Sequence, residues 1–362
     1  GQAGSVLSFI PDPNSAWMPM LTFLVYISLN WWATWYPGAE PGGGGFVAQR
    51  MFSARDEKHS LLATLWFQVA HYALRPWPWI LTALVALVLY PGLADPEAGY
   101  LRVMLDHLPA SLRGLMVAAF AAAYMSTIAT QLNWGASYLV NDFYRRFVRR
   151  EAGERHYVLV SRLATVFLTL VSAVVTFYMT SIAAAWKLLI VTGAGTGGVL
   201  LLRWYWWRVN AWSEVSSMVA AFVVSLSLQL VWGLDSDDPL GFAWIMIVTI
   251  SVTTAVWLAT TWLTRPEPVE KLLEFYRRVR PSGRGWAPIA RLAPEVRADG
   301  EGRRNLADAV AGCVLIYGAL FGVGKLLLKQ TVSGLIFLAA AVAAGCLIYR
   351  DLSRRGRHVA AD

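Results

Sequence analysis

The sequence predicts an all-α, polytopic membrane helix bundle, and three observations carry that prediction. Of its 362 residues, 57% are hydrophobic and 15% charged, with a mean hydropathy of +0.47, well above the ~45–50% apolar content of soluble domains. Apolar runs of about 20 residues, the length that crosses a ~30 Å hydrocarbon core, recur from one end to the other. Lys and Arg gather in alternate gaps between those runs, the asymmetry that marks cytoplasmic loops.

Nine runs qualify as spans. They extend approximately from Trp17 to Tyr36, Leu62 to Tyr90, Leu112 to Leu139, Tyr157 to Thr180 and Ala184 to Leu202. The remaining four extend from Val215 to Trp232, Gly241 to Leu263, Leu306 to Leu327 and Thr331 to Tyr349. Within the second, Arg75-Pro76-Trp77-Pro78 marks a kink, because proline lacks the amide a helix needs.

The gaps order these spans. One alternate set holds Arg50, Arg55 and Lys58, then Arg145 to Arg155, then Arg203 and Arg208, the segment Arg265 to Arg304 and the tail after Tyr349. The opposite set carries mainly acid or little charge, with Asp95, Glu97 and Asp106 in one gap and Asp235, Asp237 and Asp238 in another, and Arg102, Lys325 and Lys329 as exceptions. The first residues are therefore expected outside the cell membrane and the C-terminus in the cytoplasm.

The net charge of +8 is thus topology charge, distributed between spans, and the expected partner is the lipid bilayer and not nucleic acid. Both cysteines, Cys313 and Cys346, fall inside apolar runs, where a thiol behaves as a small hydrophobe. The patterns GxxxxGK[ST], HExxH and CxxC are absent, which counts against an ATP-driven pump or a membrane metalloprotease. Between the seventh and eighth spans, Val269, Leu272, Leu273 and Tyr276 at helical spacing predict an amphipathic helix at the inner membrane face, read as a cytoplasmic connector.

The third span carries the most chemistry. Ala123, Ser126 and Thr127 stand at i, i+3 and i+4, so two hydroxyls and an alanine carbonyl share one helix face. Neutral oxygens of this kind replace the water of Na⁺ while still releasing it. Hydroxyls in membrane helices also bond to their own i−4 carbonyls, and spacing alone leaves both readings open.

The third span and its borders resemble the sodium:solute symporter family. The resemblance lies in Leu108-Pro109, Arg113-Gly114, the Ala-rich run Ala121 to Thr127 and Asp142-Phe143-Tyr144. It extends to Asn30-Trp31-Trp32, to Phe46-Val47-Ala48-Gln49-Arg50, to Arg162 and to Thr192-Gly193. The resemblance implies a sodium site at Ala123, Ser126 and Thr127, Na⁺ as the coupling ion, and symport of a small polar solute. A solute sensor built on the same fold is the alternative. It implies no enzyme activity, and no nucleophile–base or metal-ligand cluster is visible.

The implied fold is a LeuT-like core of two inverted five-helix repeats. Residues 1–16 then form an extracellular lead-in, 17–202 the second repeat, 203–264 two additional spans, 265–304 the cytoplasmic connector, 305–349 two C-terminal spans and 350–362 a tail. The first repeat, a partner half of the same protein, is expected to lie outside this sequence. One departure matters: sugar carriers of the family have a polar Gln near the fifth-span Thr-Gly, where this chain has Leu188-Leu189-Ile190, so a hexose substrate is disfavoured.

Candidate substrate contacts are Asn30, Trp31, Trp32 and His71. Aromatic faces attract rings and cations, Asn30 supplies a polar contact, and His71 lies one turn from Arg75, where an intramembrane charge points to function. The run from Tyr36 to Gly45 contains Gly38, Glu40 and Gly42 among two prolines and five glycines. It cannot continue a helix, and forms either an unwound element facing substrate or a hinge at the cytoplasmic surface.

Overall fold

The computed structural model describes residues 12, 15–34, 45–179, 181–281, 283–296 and 302–359. The chain is 81% helical and, among the described residues, has no strand. Among the described residues, seven helices are long and apolar enough to cross a membrane: Glu57–Leu89 (α3), Ala110–Val148 (α5), Glu154–Tyr178 (α6), Ala211–Leu230 (α9), Pro239–Leu263 (α10), Gly302–Leu327 (α13) and Thr331–Val359 (α14). The polytopic helix bundle is thus what the sequence predicts.

Two of the nine expected spans differ in detail. The first is described as a 14-residue helix, Met20–Ala33 (α1), and its expected continuation through Tyr36 lies outside the described residues. The fifth is broken: Ile182–Thr192 (α7) and Thr196–Tyr205 (α8) meet at Gly193–Gly195 with a bend of 48°. Shorter helices are Gly45–Phe52 (α2), Gly99–His107 (α4), Val269–Val279 (α11) and Ala287–Ala290 (α12).

Local chemistry explains most boundaries. Asp56 caps α3 by accepting from the His59 amide at 2.8 Å. That amide, and then the His59 ring at 2.7 Å, hold the Asp56 carboxyl below its usual range. Pro109, at φ −64° and ψ 159°, ends α4 and starts α5. Ahead of Pro76, α3 widens into a π-helical turn over Val69–Leu74, where the Arg75 amide donates to the Ala70 carbonyl five residues back at 3.0 Å.

The chain divides into two compact units, Gly1–Arg75 with Ile182–Asp362 and Pro76–Ser181. In the first, α1, α7, α9 and α10 share a core of Val25, Ala33, Val191, Leu228, Phe242, Ile245 and Met246, and α8 packs Val199 and Leu200 against Trp257 of α10. Helices α9 and α10 meet along stripes of fourfold spacing. Ser213, Ser217, Ala221 and Ser225 on one, and Thr249, Thr253, Trp257 and Thr261 on the other, are all buried. Small side chains let the backbones approach, and Ser213 and Thr261 join hydroxyl to hydroxyl at 2.7 Å.

Helices α13 and α14 form a hairpin in the same unit, turned by Lys329 at φ 61°. A Cβ on Gly318 would stand 2.9 Å from the Phe337 carbonyl, and one on Gly322 2.7 Å from Leu338, so both glycines set the close approach. Ala319 and Ala341 of the hairpin pack on Ala73 of the π turn.

The predicted amphipathic helix is present as α11, with a different partner for its apolar side. Leu272 and Tyr276 are buried against Trp286, Ile289 and Ala293, so the face is covered by protein and not by lipid. Spacing announces an apolar face; what covers it depends on residues 10 to 20 positions further on. Arg277 and Glu295 tie the two arms of this cap at 3.0 Å. The Glu295 backbone amide, with the Arg277 guanidinium second, holds the Glu295 carboxyl below its usual range.

In the second unit, α5 and α6 cross at Gly135, where a Cβ would stand 2.8 Å from Leu168. Tyr157 donates to the Arg149 carbonyl at 3.0 Å beneath the Arg145 guanidinium, and Tyr144 meets the His156 ring at 3.0 Å. The most apolar stretches of α5 and α6 bury no residue within the unit.

Candidate functional site

The second unit holds the candidate ion ligands. Ala123, Ser126 and Thr127 lie inside the regular part of α5, share one helix face as their spacing requires, and are all exposed, as is every residue from 117 to 127. Elsewhere in the chain the competing arrangement is plain: Thr165, Thr169 and Thr176 on α6 each donate to the carbonyl four residues back at 2.8–2.9 Å. Among the described residues neither the Ser126 nor the Thr127 hydroxyl has such a bond, while the Ser126 carbonyl accepts from Thr130 at 2.8 Å.

The first unit holds the candidate solute residues. Asn30 ends the π-helical turn of α1, and the Thr34 hydroxyl donates to its carbonyl at 2.7 Å and approaches its side-chain oxygen at 3.4 Å. Trp32 donates from its indole to the Ser28 carbonyl at 2.6 Å and packs where Gly198 leaves room, while Trp31 is 72% exposed. The two indoles therefore occupy different sides of α1. His71 has other neighbours: its ring stacks on Phe67 at 5.0 Å, meets Tyr72 edge-on and pairs with Arg75 at 2.9 Å. The candidate hinge residues Gly38, Glu40 and Gly42 lie outside the described residues.

The break between α7 and α8 is a feature that the glycine-rich sequence there announces only as a bend or a packing site. Gly195 takes φ +90°, a left-handed value, and donates its amide to the Ala33 carbonyl at 2.7 Å, tying the break to the end of α1. Thr196 closes the turn by donating to the Gly193 carbonyl at 2.7 Å. Thr253 stands against Gly195, and the buried Thr249 and Thr253 hydroxyls and the Trp257 indole N–H have no partner among the described residues. Thr260 and Thr261 on the same helix do bond to their i−4 carbonyls. The fourfold spacing of Thr249, Thr253, Trp257 and Thr261 is the signal in the sequence that points to this stripe.

An orphaned buried hydroxyl costs about 1–3 kcal/mol relative to an apolar isostere. Thr249→Val with Thr253→Val is therefore expected to raise the unfolding midpoint of the purified protein by about 2 °C or more. A lower midpoint would mean that these hydroxyls are satisfied.

Crossing helices in number, with one bent pair among them, define a multi-pass membrane protein. Over residues 43–220 the chain matches the model of the sodium:solute symporter family. It is 30% identical over 126 residues to the osmoregulated proline transporter OpuE of Bacillus subtilis, covering 33% of this chain and 24% of that protein. With the sodium/glucose cotransporter of Vibrio parahaemolyticus it shares 25% identity over 167 residues, covering 44% and 31%. With sodium/myo-inositol cotransporter 2 of Sus scrofa it shares 24% over 278 residues, covering 64% and 40%. The chain thus spans about a quarter to two-fifths of the length of these curated relatives. No solved structure matches it.

Proposed function

We propose that the protein carrying this chain is a sodium-coupled symporter of a small polar solute, and not an enzyme. The observation that carries this reading is the Ala123, Ser126 and Thr127 face of α5, which falls inside the segment matched by the family. Na⁺ is a hard cation; the two hydroxyl oxygens and the Ala123 carbonyl supply part of its oxygen shell without a fixed negative charge, so the ion binds and leaves readily. Binding favours one conformation over another, and the Na⁺ gradient then drives solute uptake by alternating access.

Asn30, Trp31, Trp32 and His71 are the proposed solute contacts, and Gly38, Glu40 and Gly42 the proposed joint. The relatives are named for proline, glucose and myo-inositol. The apolar Leu188-Leu189-Ile190 stretch of α7 favours a solute with few hydroxyls over a hexose. The proposed setting is the cell membrane, with the Arg-rich gaps and the C-terminus in the cytoplasm.

The test is radiolabelled uptake by the whole protein in sealed vesicles, across a panel of amino acids, carboxylates and sugars. Uptake of at least one solute is expected to collapse when choline replaces Na⁺. Uptake that is indifferent to the replacement overturns the proposal.

A further inference from the structure

The cap formed by residues 264–281 and 283–296, which include α11 and α12, does more than connect two spans. It closes over the ends of α8 and α9 and leaves an open cavity of about 530 Å³, within the range of small-molecule sites. Four aromatic rings line it: Trp204, Trp207, Phe275 and Trp286. Phe275 and Trp286 stack at 5.2 Å, and the Trp286 indole donates to the Trp204 carbonyl at 2.9 Å, so the wall is built and not adventitious. Gly285 makes this docking possible, since a Cβ there would collide with the Tyr205 carbonyl.

Four charges of both signs share the cavity: Arg203, Glu214, Glu267 and Lys271. They pair as Arg203 with Glu214 at 3.2 Å and Lys271 with Glu267 at 3.8 Å. Their sum is zero. A ligand with one ammonium and one phosphate can take over such contacts charge for charge, and aromatic walls favour its ammonium further.

Position identifies the source of that ligand. Arg203 and Trp204 lie in the last turns of α8, Glu214 in the first turn of α9, and Glu267 four residues past the end of α10. Three membrane helices end at the cavity, which places it at headgroup depth. Along those helices Leu202, Val215 and Val219 are exposed, offering apolar surface to acyl chains directly beside it.

We propose that this cavity binds the headgroup of a zwitterionic phospholipid, with its ammonium among the Trp and Phe rings beside Glu214 and Glu267 and its phosphate on Arg203 and Lys271. The site is independent of the transport reading, since it involves neither the α5 hydroxyls nor α1. It makes the cap a lipid-reading element at the ends of α8, α9 and α10.

Mass spectrometry of the whole protein, purified in detergent and given dioleoyl phosphatidylethanolamine, phosphatidylcholine or phosphatidylglycerol, tests the proposal. The two zwitterionic lipids are expected to be retained over phosphatidylglycerol. Glu267→Gln and Lys271→Gln, both at the cavity mouth and outside the aromatic wall, are each expected to lower retention by about three- to five-fold. Arg278→Gln, on the same helix but outside the cavity lining and only loosely paired with Glu274 at 3.9 Å, is expected to leave it unchanged. Equal retention of phosphatidylglycerol, wild-type retention in both cavity variants, or binding of free phosphoethanolamine without lipid retention would each overturn it.

Discussion

Replacing Gly195 with alanine is expected to cost on the order of 2–4 kcal/mol and to lower the unfolding midpoint by more than about 5 °C. Two separate penalties combine there. A φ of +90° is a left-handed conformation that costs an L-residue roughly 1–2 kcal/mol. The new Cβ would also stand 2.6 Å from the Thr253 Cβ, a distance that forces α8 and α10 apart at the centre of their shared core. Because the Gly195 amide bonds to Ala33, the displacement would reach α1 as well.

Gly233→Ala separates the two penalties. Gly233 has φ +67°, and a Cβ there would meet nothing within 4 Å, so that variant is expected to lose only the backbone contribution, about 1 kcal/mol. Gly153→Ala, at ordinary φ and in open space, is expected to lose little. Thermal unfolding of the three purified variants, read by tryptophan fluorescence, gives the order. A Gly195→Ala midpoint no lower than that of Gly233→Ala would show that the break between α7 and α8 is not held by this contact.

Ser126→Ala with Thr127→Ala is expected to shift the sodium dependence of uptake to far higher Na⁺ concentration. A hydroxyl that contacts a charge is worth roughly 1.5–3 kcal/mol, so losing two raises the Na⁺ concentration for half-maximal uptake by about 100-fold or more. Either single change is expected to fall between wild type and the double variant. Thr165→Ala and Thr169→Ala are the controls, because those hydroxyls are already bonded to helix carbonyls on α6. Wild-type sodium dependence in the double variant, with normal amounts of protein in the membrane, would remove these two residues from the ion site.

Much of this protein is legible in one dimension. Spans follow from run length, since each helix must pair its own backbone groups within the bilayer whatever surrounds it. The Asp56 cap, the Pro109 boundary and the π turn before Pro76 are equally local, because each depends on residues within a turn of one another. The shared face of Ala123, Ser126 and Thr127 is legible for the same reason: helical period alone places it.

The rest depends on contacts between residues distant in sequence. Glycines 193 to 198 read equally well as a packing surface or a bend. The choice of a 48° break is tied to Ala33 on α1 and Thr253 on α10, both dozens of residues away. The α11 pattern announces an apolar side but not that Trp286 and Ile289 cover it, nor that Trp204 and Trp207 line a cavity together with Trp286. Backbone pairing inside the bilayer is a demand each helix meets alone, so composition and period suffice for the seven crossing helices. Burial, charge neutralisation and close approach need a partner surface, and that surface exists only once the chain has folded.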